Sequence, residues 1–134
     1  MDSYKAGSGS LQILLSTDIS TIGLAGSRAT LFVPDSGNPS IPVAHSVDAT
    51  GDIPVSSIGK ASALSGNRIS IMSKIDLSIV GNLEDREKEF NKLTARYFLD
   101  GGAEHFKKFE ASSDDITHAD DFTTALIFKT INII

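Results

Sequence analysis

Between Arg68 and Val80 the chain alternates: Ile69, Ile71, Ser73, Ile75, Leu77 and Ile79 against Ser70, Met72, Lys74, Asp76, Ser78 and Val80. Side chains of a strand point to opposite faces in turn, so this stretch predicts a strand with one apolar and one largely polar face. A chain holding such a strand has to lay something over the apolar face. Gly81-Asn82 breaks the alternation, and Asn82 is a favoured helix N-cap. From there Leu83, Phe90, Leu93 and Tyr97 recur at intervals of seven, three and four, the spacing of one helical face. Glu84, Asp85 and Glu87 occupy the first turns, where the helix dipole favours negative charge. Asp100-Gly101-Gly102 offers a glycine terminus. The reading is a helix over Leu83–Leu99, docked on the sheet through Leu83, Phe90, Leu93 and Tyr97.

The rest of the chain supplies strands to go with it. Met1–Ser10 is small and polar and reads as a flexible arm. Leu11–Ile22 alternates as a half-buried strand, and Leu24–Ser27 reads as a turn. Arg28–Val33 and Ile41–Val47 form a hairpin across the turn formers Pro34-Asp35-Ser36-Gly37-Asn38-Pro39, with Pro42 marking an edge. Ala49–Gly66 is a connection holding a short strand at Ile53–Ile58, Ala103–Ala111 a second short helix carrying Phe106 and Phe109, and Ser112–Asp121 an acidic loop. Phe122–Ile134 has strand composition on both faces and should not be left unpaired. The expected class is α+β: an antiparallel sheet with one long helix and a second short helix packed on one face, plus a C-terminal strand. One domain covers 1–134, with an arm (1–10), a mainly β part (11–80), a helical part (82–111) and the C-terminal strand (122–134).

Function classes narrow by exclusion. A formal charge of −5 argues against a polybasic binder, though not against a local basic face. Without cysteine there are no disulfides or thiolate metal sites. Residues 1–10 lack the apolar run of a signal peptide, and no stretch approaches a membrane span. His45, His105 and His118 form no metal-binding repeat or catalytic constellation, and no phosphate-binding glycine loop occurs, so no catalytic residue, cofactor or metal is expected. Asp114, Asp115, Asp120 and Asp121 crowd around His118, a pattern read as a solvated turn. The polar parity of the strands carries more. Arg28, Thr30, Phe32, Ser70, Met72 and Lys74 share the sheet face away from the helix, and cations beside an aromatic can hold RNA through phosphates and base stacking.

A hairpin, a glycine-containing connection, a long strand and a helix ending at Asp100-Gly101 together resemble the coat proteins of single-stranded RNA bacteriophages. The residues carrying this are Arg28–Val33 with Ile41–Val47, then Arg68–Val80, then Leu83–Leu99. The resemblance implies a structural subunit, not an enzyme. Such a subunit dimerises edge to edge with exchanged helices and closes a shell around RNA in a virion after synthesis in the host cytoplasm. It also implies an RNA-facing sheet of Arg28, Thr30, Phe32, Ala44, Ser46, Arg68, Ser70, Met72 and Lys74. Two departures are visible: a single strand precedes Arg28 where the family opens with a hairpin, and the chain continues into Phe122–Ile134. The other reading is a non-viral β-rich binding module such as a small lectin, or an appendage subunit.

Overall fold

The computed structural model describes residues 2–34 and 40–134. In chain order its elements are strands β1 (Asp2–Tyr4), β2 (Gln12–Ser20), β3 (Leu24–Phe32), β4 (Ser40–His45) and β5 (Ser56–Lys60), then a single helical turn α1 (Ala61–Leu64). β6 (Arg68–Asp76), helix α2 (Leu83–Asn91), β7 (Thr94–Gly102) and β8 (His105–Glu110) follow. A 3-10 turn at Ser113–Asp115, β9 (Ile116–His118) and β10 (Thr124–Ile133) complete the chain. The six-stranded sheet runs β1-β10-β6-β3-β4 with β9 also on β10, and the four-stranded sheet runs β5-β2-β7-β8. One cluster of buried residues joins them: Ile69, Ile71, Ile75, Ile127 and Ile131 from the larger sheet meet Ile13, Leu15, Tyr97 and Leu99 from the smaller. This is a β-sandwich, each sheet giving alternate residues to the shared interior.

The α+β expectation is therefore overturned. What covers the apolar face of β6 is a second sheet. The expected helix over Leu83–Leu99 stops at Asn91, and its second half is β7. Ala95, Tyr97 and Leu99 are buried in alternation along β7, which a helix would scatter around its circumference. α2 itself forms as its cap predicts, with the Asn82 side chain accepting the Asp85 amide at 2.9 Å. It buries no residue fully: Leu83 is 50% exposed, and Phe90 is half-buried against the rings of His118 and Phe122. The second helix, at Ala103–Ala111, is also a strand. β8 pairs antiparallel with β7, burying Phe109 and leaving Phe106 62% exposed.

Other expectations moved less. The hairpin forms as β3 and β4, although Leu24–Ser27, read as a turn, extends β3, and most of the turn at Pro34–Pro39 lies outside the described residues. The short strand expected at Ile53–Ile58 lies at Ser56–Lys60, and the acidic loop contains the 3-10 turn and β9. The arm holds β1, parallel to β10. Tyr4 is fully buried there, its hydroxyl accepting the Gly102 amide at 2.9 Å and donating to the His105 carbonyl at 2.5 Å. Two short strands thus share one side of β10, β9 along Ala125–Ile127 and β1 along Ile131–Ile133. Between them Lys129, 5% exposed, reaches Asp2 at 2.5 Å, the Glu110 carbonyl at 2.9 Å and Asp115 at 3.4 Å. One ammonium ties the chain's beginning, β8 and the 3-10 turn to its last strand.

Candidate nucleic-acid interface

Because β3, β6 and β10 lie side by side, their outward residues fall into rows. Paired residues of neighbouring strands point to the same face. The register places Phe32 beside Arg68 and Asn132, Thr30 beside Ser70 and Thr130, and Arg28 beside Met72 and Phe128, with Gly26 beside Lys74 and Leu126 next. The inward rows between them are Leu31–Ile69–Ile131, Ala29–Ile71–Lys129 and Ser27–Ser73–Ile127. The strict alternation that first identified β6 is what keeps the two sets apart. Ser27 and Ser73, buried on the inner set, satisfy each other at 2.6 Å.

Seven of the residues expected on an RNA-facing sheet thus stand on one outer face: Arg28, Thr30, Phe32, Arg68, Ser70, Met72 and Lys74. Ser46 joins them at the margin, its hydroxyl accepting the Ser27 amide at 2.9 Å beside Arg28, Met72 and Lys74. Ala44 does not. A register shift between Ala29 and Thr30 pairs Ala29 with Ala44 and Thr30 with Pro42. The extra residue turns Ala44 inward against the core and brings His45 opposite Arg28. Of the residues expected to dock a helix, Leu93 and Tyr97 are buried, but Tyr97 is on β7; Phe90 and Leu83 remain on α2.

Sequence reasoning missed the contribution of β10. Leu126, Phe128 and Thr130 extend the face, with Phe128 53% and Leu126 41% exposed. The signal was there in apolar residues on both parities of Phe122–Ile134, one set for the core and one for this surface. A shallow cavity of about 350 Å3 runs over Arg28, Thr30, Phe32, Ser40, Arg68, Ser70, Met72 and Phe128. The Arg68 guanidinium lies 4.7 Å from the centroid of the Phe32 ring, a cation held over an aromatic face. Among the described residues Arg28, Arg68 and Lys74 form no ion pair.

The charge changes sign at the borders. Asp76 closes the Lys74 end; hydrogen bonds from the hydroxyl and then the amide of Ser78 hold its carboxyl below the usual range. Past Met72 and Phe128, which also line it, a cavity of about 840 Å3 opens over the edge of the sheet among Asp2, Glu110, Asp114, Asp115 and Lys129, with Lys129 paired to Asp2 and Asp115 and Glu110 to Lys108. The acidic cluster expected around His118 is dispersed. Asp115 caps Ser112 and meets Lys129, Asp121 accepts from Thr123, and the His118 ring stacks on Phe122 with centroids 4.1 Å apart. No helix of the described residues is long and apolar enough to cross a membrane. No family model, no curated protein and no solved structure matches the chain.

Proposed function

We propose that this chain is a non-catalytic subunit that holds single-stranded RNA on the outer face of its larger sheet. The observation that carries this reading is the convergence of Arg28, Arg68 and Lys74 with Phe32, Met72 and Phe128 on one side of a protein whose net charge is −5. Cations supply sequence-independent affinity for phosphates, and exposed rings accept unpaired bases of any kind. Replacing Arg28, Arg68 and Lys74 together with Ser should weaken binding of a fluorescent oligouridylate by about a hundredfold or more in low salt. It should also flatten the dependence of affinity on salt, since each lost phosphate contact removes nearly one unit of slope. Unchanged affinity and slope in the folded variant would refute the reading.

A second reading, a coat subunit whose copies close a shell in a virion, draws on a different observation. Ile22, Val47 and Ile79 on the connections, and Leu24 at the start of β3, are 60%, 70%, 71% and 56% exposed at the β6–α2 end of the sandwich. Exposed apolar residues gathered this way suit burial against another copy. Helix exchange is not part of this version, since α2 covers no sheet. Light scattering of the purified protein should give a mass of many copies that falls when Val47 and Ile79 are replaced by Ser. A monomer at all concentrations would remove the shell and leave RNA binding standing.

A further inference from the structure

Resting on the reading of the outer face as an RNA contact, we propose that its occupant is a short, stretched single-stranded segment. It crosses diagonally from Phe32 to Phe128, with a row of hydroxyls between them recognising ribose. The register carries this. Phe32 and Phe128 stand at opposite corners of the grid formed by β3, β6 and β10. They are four residues apart along the strands and two strands apart across the sheet. That separation comes to roughly 16 Å between the two Cα positions. Neighbouring stacked bases lie only about 3.4 Å apart, so a stacked pair cannot engage both corners and the strand between them is drawn out, bases splayed.

Each corner is made for a base. At one, the Arg68 guanidinium over the Phe32 ring presents a flat cation, which stacks with a base while its charge stays near phosphate. At the other, Phe128 is 53% exposed in the same row as Arg28. Between them lie the hydroxyls of Thr30, Ser70 and Thr130, with Ser70 Oγ and Thr130 Oγ1 3.4 Å apart. Phosphate oxygens only accept hydrogen bonds, whereas a hydroxyl both donates and accepts. A ribose 2′-hydroxyl matches that row and deoxyribose does not. The footprint is bounded by charge on the side of Phe128 and Lys74. Beside Phe128 stand Asp114 and, paired with Lys129, Asp2 and Asp115, and beyond Lys74 stands Asp76. A phosphodiester chain carried past that side meets carboxylates.

The test is a set of anisotropy titrations with labelled oligouridylates of two to eight nucleotides and their deoxyuridine counterparts, which differ only in the 2′-hydroxyl. Affinity should rise by about tenfold on going from two to four nucleotides, as the second base reaches its ring, and then level off. The ribose series should bind roughly fivefold more tightly than the deoxyribose series at equal length. The double variant Ser70→Ala, Thr130→Val should lose that preference while its circular dichroism spectrum and thermal unfolding match those of the parent, which shows that it is folded. Affinity that climbs evenly to eight nucleotides overturns the bounded footprint, and equal affinity for the two sugars overturns the ribose contact. Absence of binding to either polymer at any length overturns the RNA reading itself.

Discussion

The chain has two tyrosines, both fully buried on opposite terms. Tyr4 uses its hydroxyl twice, whereas that of Tyr97 has no hydrogen-bond partner among the described residues. A buried polar group without a partner costs stability, so Tyr97→Phe should leave the unfolding free energy unchanged or raise it by up to about 1 kcal/mol. Tyr4→Phe should lower it by about 1–2 kcal/mol, since two backbone groups lose their partner. Urea unfolding of both variants checks the pair, and a loss with Tyr97→Phe would mean that its hydroxyl is bonded. Burial pushes both phenols above the ordinary value, on Tyr97 with a further push from the Asp115 carboxylate. A group whose proton is held more tightly when folded contributes stability that is complete below the unfolded value of about 10 and is lost as the pH rises from there through the raised folded value. Absorbance at 295 nm should therefore show no phenolate before alkaline unfolding. The carboxylates act at the other end of the scale. Asp48, Asp76 and Asp121 each accept from a Ser or Thr two residues on, hydroxyl first and amide second, and each is held below its usual range. Their contribution is complete above the ordinary carboxylate value of about 3.9 and disappears as the pH falls below it, which an acid unfolding curve should register.

Among the elements, β10 should carry the most. It pairs with β6 along nine residues and receives β1 and β9 on its other side. Truncating Ile127 or Ile131, both fully buried, to Ala should cost about 2–5 kcal/mol. Phe90→Ala should cost at most about 2 kcal/mol, because its ring is only half-buried, packed at the margin of the core and against the rings of His118 and Phe122. Equal losses from the two kinds of variant would reverse the ranking of α2 and β10. The contrast between β6 and β7 explains how much of this was legible. β6 is legible because its two parities differ in polarity from Arg68 to Asp76, although the expected continuation to Val80 is a turn that leaves Ile79 71% exposed. β7 was read as helix because Leu93 and Tyr97 are four apart, and residues four apart share a face in a helix and in a strand alike. The residues that distinguish the two are Ala95 and Leu99, two apart from Tyr97; the small Ala95 and the absence of any Gly or Pro at Lys92-Leu93 hid the break. In β8 the misleading pair was Phe106 and Phe109, three apart, which a helix puts together and a strand separates. β1 is three residues long and has no period to read.

Taken whole, the molecule pairs an open sheet face with a closed one. The smaller sheet seals the inner surface of the larger, and among the described residues no element lies over the outer rows of β3, β6 and β10. Most of that face was legible because parity alone gathers Arg28, Thr30, Phe32, Ser70, Met72 and Lys74. Ala44 was misassigned because a bulge changes parity without any mark in the sequence, and Phe128 was missed because no local pattern tells which strand β10 joins. The smaller sheet supplies an internal comparison. Phe98 and Phe106 stack on its outer side with centroids 5.6 Å apart, next to the Arg96–Asp18 ion pair, so aromatic surface occurs there with its neighbouring guanidinium already matched by a carboxylate. Amide chemical-shift mapping of the labelled protein titrated with an oligouridylate tests the central claim most directly. Shifts confined to Arg28, Thr30, Phe32, Arg68, Ser70, Met72, Lys74 and Phe128 with their strand neighbours are the predicted result. A spectrum unchanged at saturating RNA, or shifts centred on Phe98 and Phe106, would contradict it.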